Sequence, residues 1–137
     1  MTAVEDFAFK PEPMPYGKVL VVDDVETNLY VVEAMLDSFE LQVELCNSGV
    51  EAVEKISNGA VYDIIFMDQM MPVMDGVEAT KKMREMGYDK PIVALTANAL
   101  KGQAELLMEN GFSGFMSKPI EYKVLHEYLL EFVARTS

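Results

Sequence analysis

Three uninterrupted apolar runs, Val19-Leu20-Val21-Val22, Ile64-Ile65-Phe66-Met67 and Ile92-Val93-Ala94-Leu95, constrain the fold of this chain more than any other feature. A strand wetted on one side alternates apolar with polar residues. A run without alternation marks a strand covered on both faces, as in a parallel sheet between two helical layers. Shorter segments at 42–45 and 114–116 read as edge or near-edge strands, which brings the number to five. Between the strands, helical spacing is legible at 27–38, 48–58, 76–86, 99–109 and 121–134. The first carries Leu29, Val32 and Leu36 at three- and four-residue intervals, and the last carries Leu125, Tyr128, Leu129 and Phe132 on one stripe. Ser48 with Glu51, and Asp75 with Glu78, have the spacing of helix N-terminal caps, while Gly59, Gly87 and Gly111 mark helix ends. Five strand-helix units in about 120 residues specify an α/β fold with a doubly wound, five-stranded parallel sheet.

The 137 residues suffice for one domain, and with 50% apolar and 25% charged residues a packed core is expected. The formal charge of −12 repels phosphate backbones and anionic headgroups, which argues against direct nucleic-acid binding and membrane association. The single Cys46 cannot form an internal disulfide and suits a reducing cytoplasm. No apolar run approaches the roughly 18 residues of a membrane span, and residues 1–6 carry two acids and no base where a secretory signal would be cationic. A cytoplasmic location is therefore expected. Residues 1–17, with Pro11, Pro13 and Pro15 before Tyr16-Gly17, read as a flexible tail or linker, leaving 18–137 as the domain.

Each apolar run delivers a polar group at its carboxyl end: Asp23-Asp24 after Val22, Asp68 after Met67, Thr96 after Leu95, and Ser117-Lys118-Pro119 after Met116. In open parallel sheets that edge is where ligands bind. With the strand order 2-1-3-4-5, the first and third strands are neighbours and Asp23, Asp24 and Asp68 converge. Three carboxylates within about 5 Å repel by roughly 3 kcal/mol per pair at an effective dielectric near 20, so they call for a cation or a raised pKa. All-oxygen donors without His or Cys suit Mg²⁺ better than zinc or copper. Lys118 adds a fixed positive charge and Thr96 a hydroxyl donor, which completes the parts that phosphoryl transfer requires. Taken singly, each has a plainer reading. Asp24 could cap the next helix, Thr96 could serve a turn, and Lys118 could be solvated. Met67, Met70, Met71 and Met74 suit adaptable packing, His126 a solvated or partly packed site, and Cys46 a small core or edge position.

Four motifs occur in order: Val-Val-Asp-Asp at 21–24, Phe-Met-Asp-Gln-Met-Met-Pro-Val-Met-Asp-Gly at 66–76, Ala-Leu-Thr-Ala at 94–97 and Ser-Lys-Pro at 117–119. Over about residues 18–134 the chain resembles the receiver domains of two-component response regulators. The resemblance implies a flavodoxin-like sheet and a phosphorylation-controlled switch in a phosphorelay. Asp68 would be the phosphoacceptor, and Asp23, Asp24, Asp68 and the carbonyl of Met70 would hold Mg²⁺. Thr96 would hydrogen-bond the phosphoryl group and Lys118 would pair with it. Thr96 and Phe115 would be the switch pair, acting on the face made by the fourth helix, fifth strand and fifth helix. Met70 and Asn98 would tune phosphoryl lifetime, and an apolar Met70, unable to orient water, would not make it unusually short. Lys118-Pro119 is expected cis, and Gly76 is expected to supply permissive backbone angles after the Asp75 cap.

By the same resemblance the phosphodonor is a histidine kinase or histidine phosphotransfer protein, docking near Asn28, Leu29 and Val32 and on the loop at Ile120. A phosphorylation-dependent dimer is a further expected association. Such a domain catalyses its own phosphorylation and dephosphorylation without being a metabolic enzyme. The wording Asp-Val-Glu-Thr-Asn-Leu and Ala-Leu-Thr-Ala-Asn-Ala resembles receivers attached to hybrid histidine kinases, and no output domain is expected to follow residues 135–137. A haloacid-dehalogenase-type phosphatase would place Asp-x-Asp after its first strand and add a cap domain, whereas here Asp23-Asp24 is followed by Val25. A non-signalling scaffold would gain nothing from a repelling carboxylate cluster. Flavin binding would want a Ser/Thr-rich loop where Val25-Glu26-Thr27-Asn28 stands.

Overall fold

In the computed structural model, residues 12–97 and 101–134 are described. Strands β1 (Lys18–Val22), β2 (Gln42–Cys46), β3 (Ile64–Asp68), β4 (Ile92–Thr96) and β5 (Gly114–Ser117) alternate with helices α1 (Glu26–Asp37), α2 (Gly49–Ser57), α3 (Gly76–Glu85), α4 (Lys101–Glu109) and α5 (Tyr122–Phe132). All pairings are parallel, in the order β2-β1-β3-β4-β5. The doubly wound sheet expected from the sequence is present, with element ends shifted by one or two residues.

The apolar runs are continuous because each strand feeds two cores. Val19, Val21, Ile64, Phe66, Val93, Leu95 and Met116 pack under α1 and α5, against Leu29, Leu36, Leu125 and Leu129. Leu20, Val22, Ile65, Met67, Ile92 and Ala94 pack on the opposite face against Ala52 and Ile56 of α2, Ala79 and Met83 of α3, and Leu107 of α4. Successive side chains point to opposite faces, so both must be apolar. Each fully buried aliphatic or aromatic side chain contributes roughly 1.5–3 kcal/mol, which fixes the register of every strand.

Expected caps form. Ser48 Oγ accepts from the Glu51 N–H at 3.0 Å while Glu51 Oε1 accepts from the Asn47 N–H at 3.3 Å, and Asp75 Oδ1 accepts from the Glu78 N–H at 2.8 Å. Gly59, Gly87 and Gly111 end helices with φ of 96°, 91° and 102°. Gly76 corrects one expectation. Its φ is not among the positive ones; instead a β-carbon there would stand 2.3 Å from the Asp68 carbonyl oxygen and 2.9 Å from Met67 Cγ. The glycine is needed for close approach, because α3 starts against the backbone of Asp68.

The packed unit also begins before Lys18. Met14, within the stretch read as tail, is 1% exposed in the α1/α5 core, and its N–H donates to the Phe39 carbonyl at 2.7 Å. A proline-rich pattern reports local backbone preference and says nothing of a buried methionine between prolines. Residues 1–11 of that stretch, and residues 98–100 and 135–137, lie outside the described residues.

The free edge of β5 is closed by a side chain. Tyr128 Oη accepts from the Phe115 N–H at 3.0 Å and donates to the Phe115 carbonyl at 2.9 Å. The ring lies where a side chain on Gly114 would fall, since a β-carbon there would stand 2.5 Å from Tyr128 Oη. Tyr128→Phe leaves both backbone groups of a partly buried strand without that partner, so urea denaturation should show a loss of roughly 1–3 kcal/mol. A loss below about 0.5 kcal/mol would mean that water replaces the hydroxyl at no cost.

Candidate functional site

The sheet ladder runs one residue past three of its strands, and those residues carry the chemistry. The Asp23 N–H donates to the Cys46 carbonyl at 3.1 Å, the Gln69 N–H to Leu95 at 3.0 Å, and the Lys118 N–H to Thr96 at 2.9 Å. Asp68 and Thr96 are the last residues of β3 and β4. Lys118 is joined to Pro119 by a cis peptide, as expected. The polar groups are thus anchored by backbone bonds and by the strands' buried side chains.

Asp23, Asp24 and Asp68 each place a carboxylate oxygen within 4.8 Å of the others, and among the described residues they are the acidic group able to share a cation. Asp23 is 1% and Asp68 5% exposed, whereas Asp24 faces solvent. Asp24 does not cap α1, because the N-cap position is Val25, whose N–H donates to Asp23 Oδ1 at 2.9 Å. Lys118 Nζ donates to Asp68 Oδ1 at 2.9 Å and to Asp23 Oδ2 at 3.4 Å. Burial raises the pKa of Asp68; the Lys118 hydrogen bond opposes it, and the charges of Asp23 and Asp24 add to it. Burial draws the Lys118 ammonium down, but its hydrogen bond to Asp68 and the charges of Asp68 and Asp23 outweigh that, so its pKa is raised. Both partners hold their protons more firmly, Asp68 chiefly because it is buried and Lys118 because carboxylates surround it. Oxygen-only donors with surplus negative charge suit a hard divalent cation.

Thr96 is 2% exposed, and its hydroxyl donates to Gln69 Oε1 at 2.7 Å. Gln69 is the site residue that sequence reasoning missed. Its signal was register: with Asp68 paired to Leu95, the next residues on the two chains are Gln69 and Thr96. Phe115 is half-buried and packs against the α2–α4 core. Met67 and Met71 are buried and Met74 partly so, as adaptable packing implies, but the Met70 side chain is 73% exposed and packs on no core. Asn98 lies outside the described residues. Cys46 is buried, its thiol pushed up to about 12 by burial, and His126 is partly packed with its ring 5.5 Å from Phe39.

A groove of about 410 Å³ adjoins the site, lined by Asn28, Val31, Val32, Lys118, Pro119 and Ile120 among others. It brings together Asn28, Val32 and Ile120 of the residues expected at a docking surface, but not Leu29. Leu29 is 5% exposed in the core, and Val31, at 59%, presents the apolar surface there. The cause is helical phase: Leu29 sits on the stripe with Val32 and Leu36 that faces the sheet.

Residues 19–130 match the family model described as response regulator receiver domain. The signal transduction histidine-protein kinase BarA of Escherichia coli is 40% identical over 116 residues, covering 83% of this chain and 12% of BarA, so the chain spans about an eighth of that relative. The receiver domain of the sensor histidine kinase PA1611 from Pseudomonas aeruginosa, solved with a magnesium ion in its active site cleft, superposes with a TM-score of 0.76 at 38% identity. That match covers 85% of this chain and 97% of the PA1611 domain. The receiver domain of Ssk1 from Saccharomyces cerevisiae, solved with the histidine phosphotransfer protein Ypd1, gives a TM-score of 0.78 at 26% identity, covering 91% of each chain. With its five-stranded sheet, its acidic edge and the family match over most of its length, the chain belongs to the response regulator receiver domains of two-component phosphorelays.

Proposed function

We propose that Asp68 is the phosphoacceptor of this receiver, taking a phosphoryl group from a phosphohistidine of a histidine kinase or histidine phosphotransfer protein. The observation that carries this reading is the Asp68 carboxylate, held at 2.9 Å by Lys118 Nζ and sharing a 4.8 Å cluster with Asp23 and Asp24. An oxygen of Asp68 forms a bond to phosphorus as the P–N bond to the imidazole breaks, and the bonding pair returns to the ring nitrogen. Lys118 turns from the carboxylate to the arriving phosphoryl oxygens, and the Thr96 hydroxyl donates a second hydrogen bond. Asp23, Asp24, Asp68 and the Met70 carbonyl would hold Mg²⁺, which when bound neutralises charge on the equatorial phosphoryl oxygens. In dephosphorylation a water oxygen bonds to phosphorus as the Asp68 O–P bond breaks; the bonding pair returns to the carboxylate, and inorganic phosphate leaves with the water's protons. Met70 offers no group to orient that water, which supports an acyl phosphate of ordinary lifetime.

The groove beside α1 suits the donor because it joins an apolar wall, Val31, Val32 and Ile120, directly to Lys118 at the reacting edge. Ssk1 supports this choice of partner class through its complex with a phosphotransfer protein. Thr96 and Phe115 then relay the charge change to the α4-β5-α5 face, where a phosphorylation-dependent dimer would form. A cytoplasmic setting fits the acidic surface and the unpaired Cys46; no described helix is long and apolar enough to cross a membrane.

Intact-mass spectrometry after incubation with Mg²⁺ and acetyl phosphate should show one added phosphoryl group, lost in Asp68→Ala and in chelator. A gain that survives Asp68→Ala would sink the assignment. A second test uses stability. Because burial and then the neighbouring carboxylates raise the Asp68 pKa, the folded state binds that proton more tightly than the unfolded chain. Its favourable contribution is therefore present at low pH and lost as pH rises through the raised pKa. In metal-free buffer at pH 7, Asp68→Asn should melt at a higher temperature than the parent, and Mg²⁺ should stabilise the parent far more than the variant. Equal Mg²⁺ shifts in both would show that Asp68 is not part of the cation site.

A further inference from the structure

The proton of the Thr96 hydroxyl is engaged before any phosphoryl group arrives. It is donated to Gln69 Oε1 at 2.7 Å between two buried residues, Thr96 at 2% and Gln69 at 9% exposure. Gln69 is itself held on both sides: its N–H donates to the Leu95 carbonyl at 3.0 Å and its carbonyl accepts from the Gly76 N–H at 2.9 Å. The carboxamide is therefore presented from fixed backbone, next in chain to Asp68. A threonine hydroxyl has one proton to give. Turned to a phosphoryl oxygen on Asp68, it leaves Gln69 Oε1 without that donor in a site where water has little access, and an acceptor so stripped favours return.

We propose that Gln69 is a positioning residue that holds Thr96 in its unphosphorylated orientation and competes with the phosphoryl group for the Thr96 proton, setting how readily the switch is thrown. This rests on the assignment of Asp68 as phosphoacceptor. The free energy of the Gln69–Thr96 bond is a fixed bias toward the resting state, and the phosphoryl group shifts the population only by what it offers Thr96 above that bias.

The test is the affinity for beryllofluoride with Mg²⁺, followed by ¹H–¹⁵N NMR, for the parent, Gln69→Met and Gln69→Glu, each also in a Thr96→Val background. Gln69→Met keeps the length and removes the acceptor, so it should bind about 2- to 10-fold tighter, equivalent to about 0.4–1.4 kcal/mol. Gln69→Glu retains an acceptor for Thr96 and should bind no tighter than the parent. In Thr96→Val the Gln69→Met change should have no effect, since no hydroxyl proton is contested. Equal or weaker binding by Gln69→Met, or tightening that persists in Thr96→Val, overturns the proposal. An independent readout is the Thr96 χ1 rotamer in the ligand-free protein, measured by side-chain couplings. The Thr96 χ1 populations should shift in Gln69→Met, and populations identical to the parent's overturn the latch even if beryllofluoride binds neither. Beryllofluoride binding that is the same in Asp68→Ala as in the parent would instead remove the phosphoacceptor assignment, leaving the rotamer comparison to decide on Gln69.

Discussion

One ammonium group holds the carboxyl edge of the sheet together. Lys118 Nζ reaches Asp68 at 2.9 Å and Asp23 at 3.4 Å, and both carboxylates are almost wholly buried. Replacing Lys118 by a neutral residue would strand two buried carboxylates without their counter-charge, whereas losing one carboxylate leaves the partly exposed ammonium still paired with the other. Three carboxylates against one lysine still leave a formal excess of 3 − 1 = 2 negative charges in the cluster. A fold selected for stability alone would replace them with apolar residues. Such an excess beside a raised Asp68 pKa suits a ligand that brings positive charge.

The parallel sheet makes this arrangement rigid. Asp68 and Thr96 end their strands and Asp23 and Lys118 come one residue after theirs, on strands whose side chains are locked into two cores, so moving Asp68 means disturbing Phe66 and Met67. Gly76 tightens the same point from the other side by letting α3 begin against the Asp68 carbonyl. The change proposed on phosphorylation therefore falls on side chains: the Thr96 hydroxyl, the Lys118 ammonium and the half-buried Phe115. Tyr128 fixes the backbone of Phe115 through both its N–H and its carbonyl, so movement there falls on the ring rather than on the strand.

Most of this architecture was legible because period-two burial leaves a plain trace: four apolar residues in a row require two cores, and the polar residue that ends each run must lie on one edge. Lys118, Thr96 and the three aspartates were found that way. What escaped depended on distances that no spacing encodes. The need for glycine at 76 comes from a carbonyl brought close by chain folding, not from a local dihedral angle. Leu29 was expected at the docking surface although its own spacing with Val32 and Leu36 puts it on the stripe facing the sheet; Val31, about 200° round the helix, is exposed instead. Met14 is buried between α1 and α5, the latter more than a hundred residues along the chain. Gln69 was legible only after the β3–β4 register was known, since it lies beside Thr96 across the ladder and not along the sequence.

The most direct measurement is a crystal structure of the full chain with Mg²⁺ and beryllofluoride. Beryllium should be bonded to an Asp68 carboxylate oxygen, the cation held by Asp23, Asp24 and the Met70 carbonyl, Lys118 Nζ on a fluorine, and the Thr96 hydroxyl turned from Gln69 to another. Beryllofluoride bonded elsewhere, or bound at Asp68 with Lys118 and Thr96 still on their resting partners, would contradict the assignment of this edge as a phosphoryl switch.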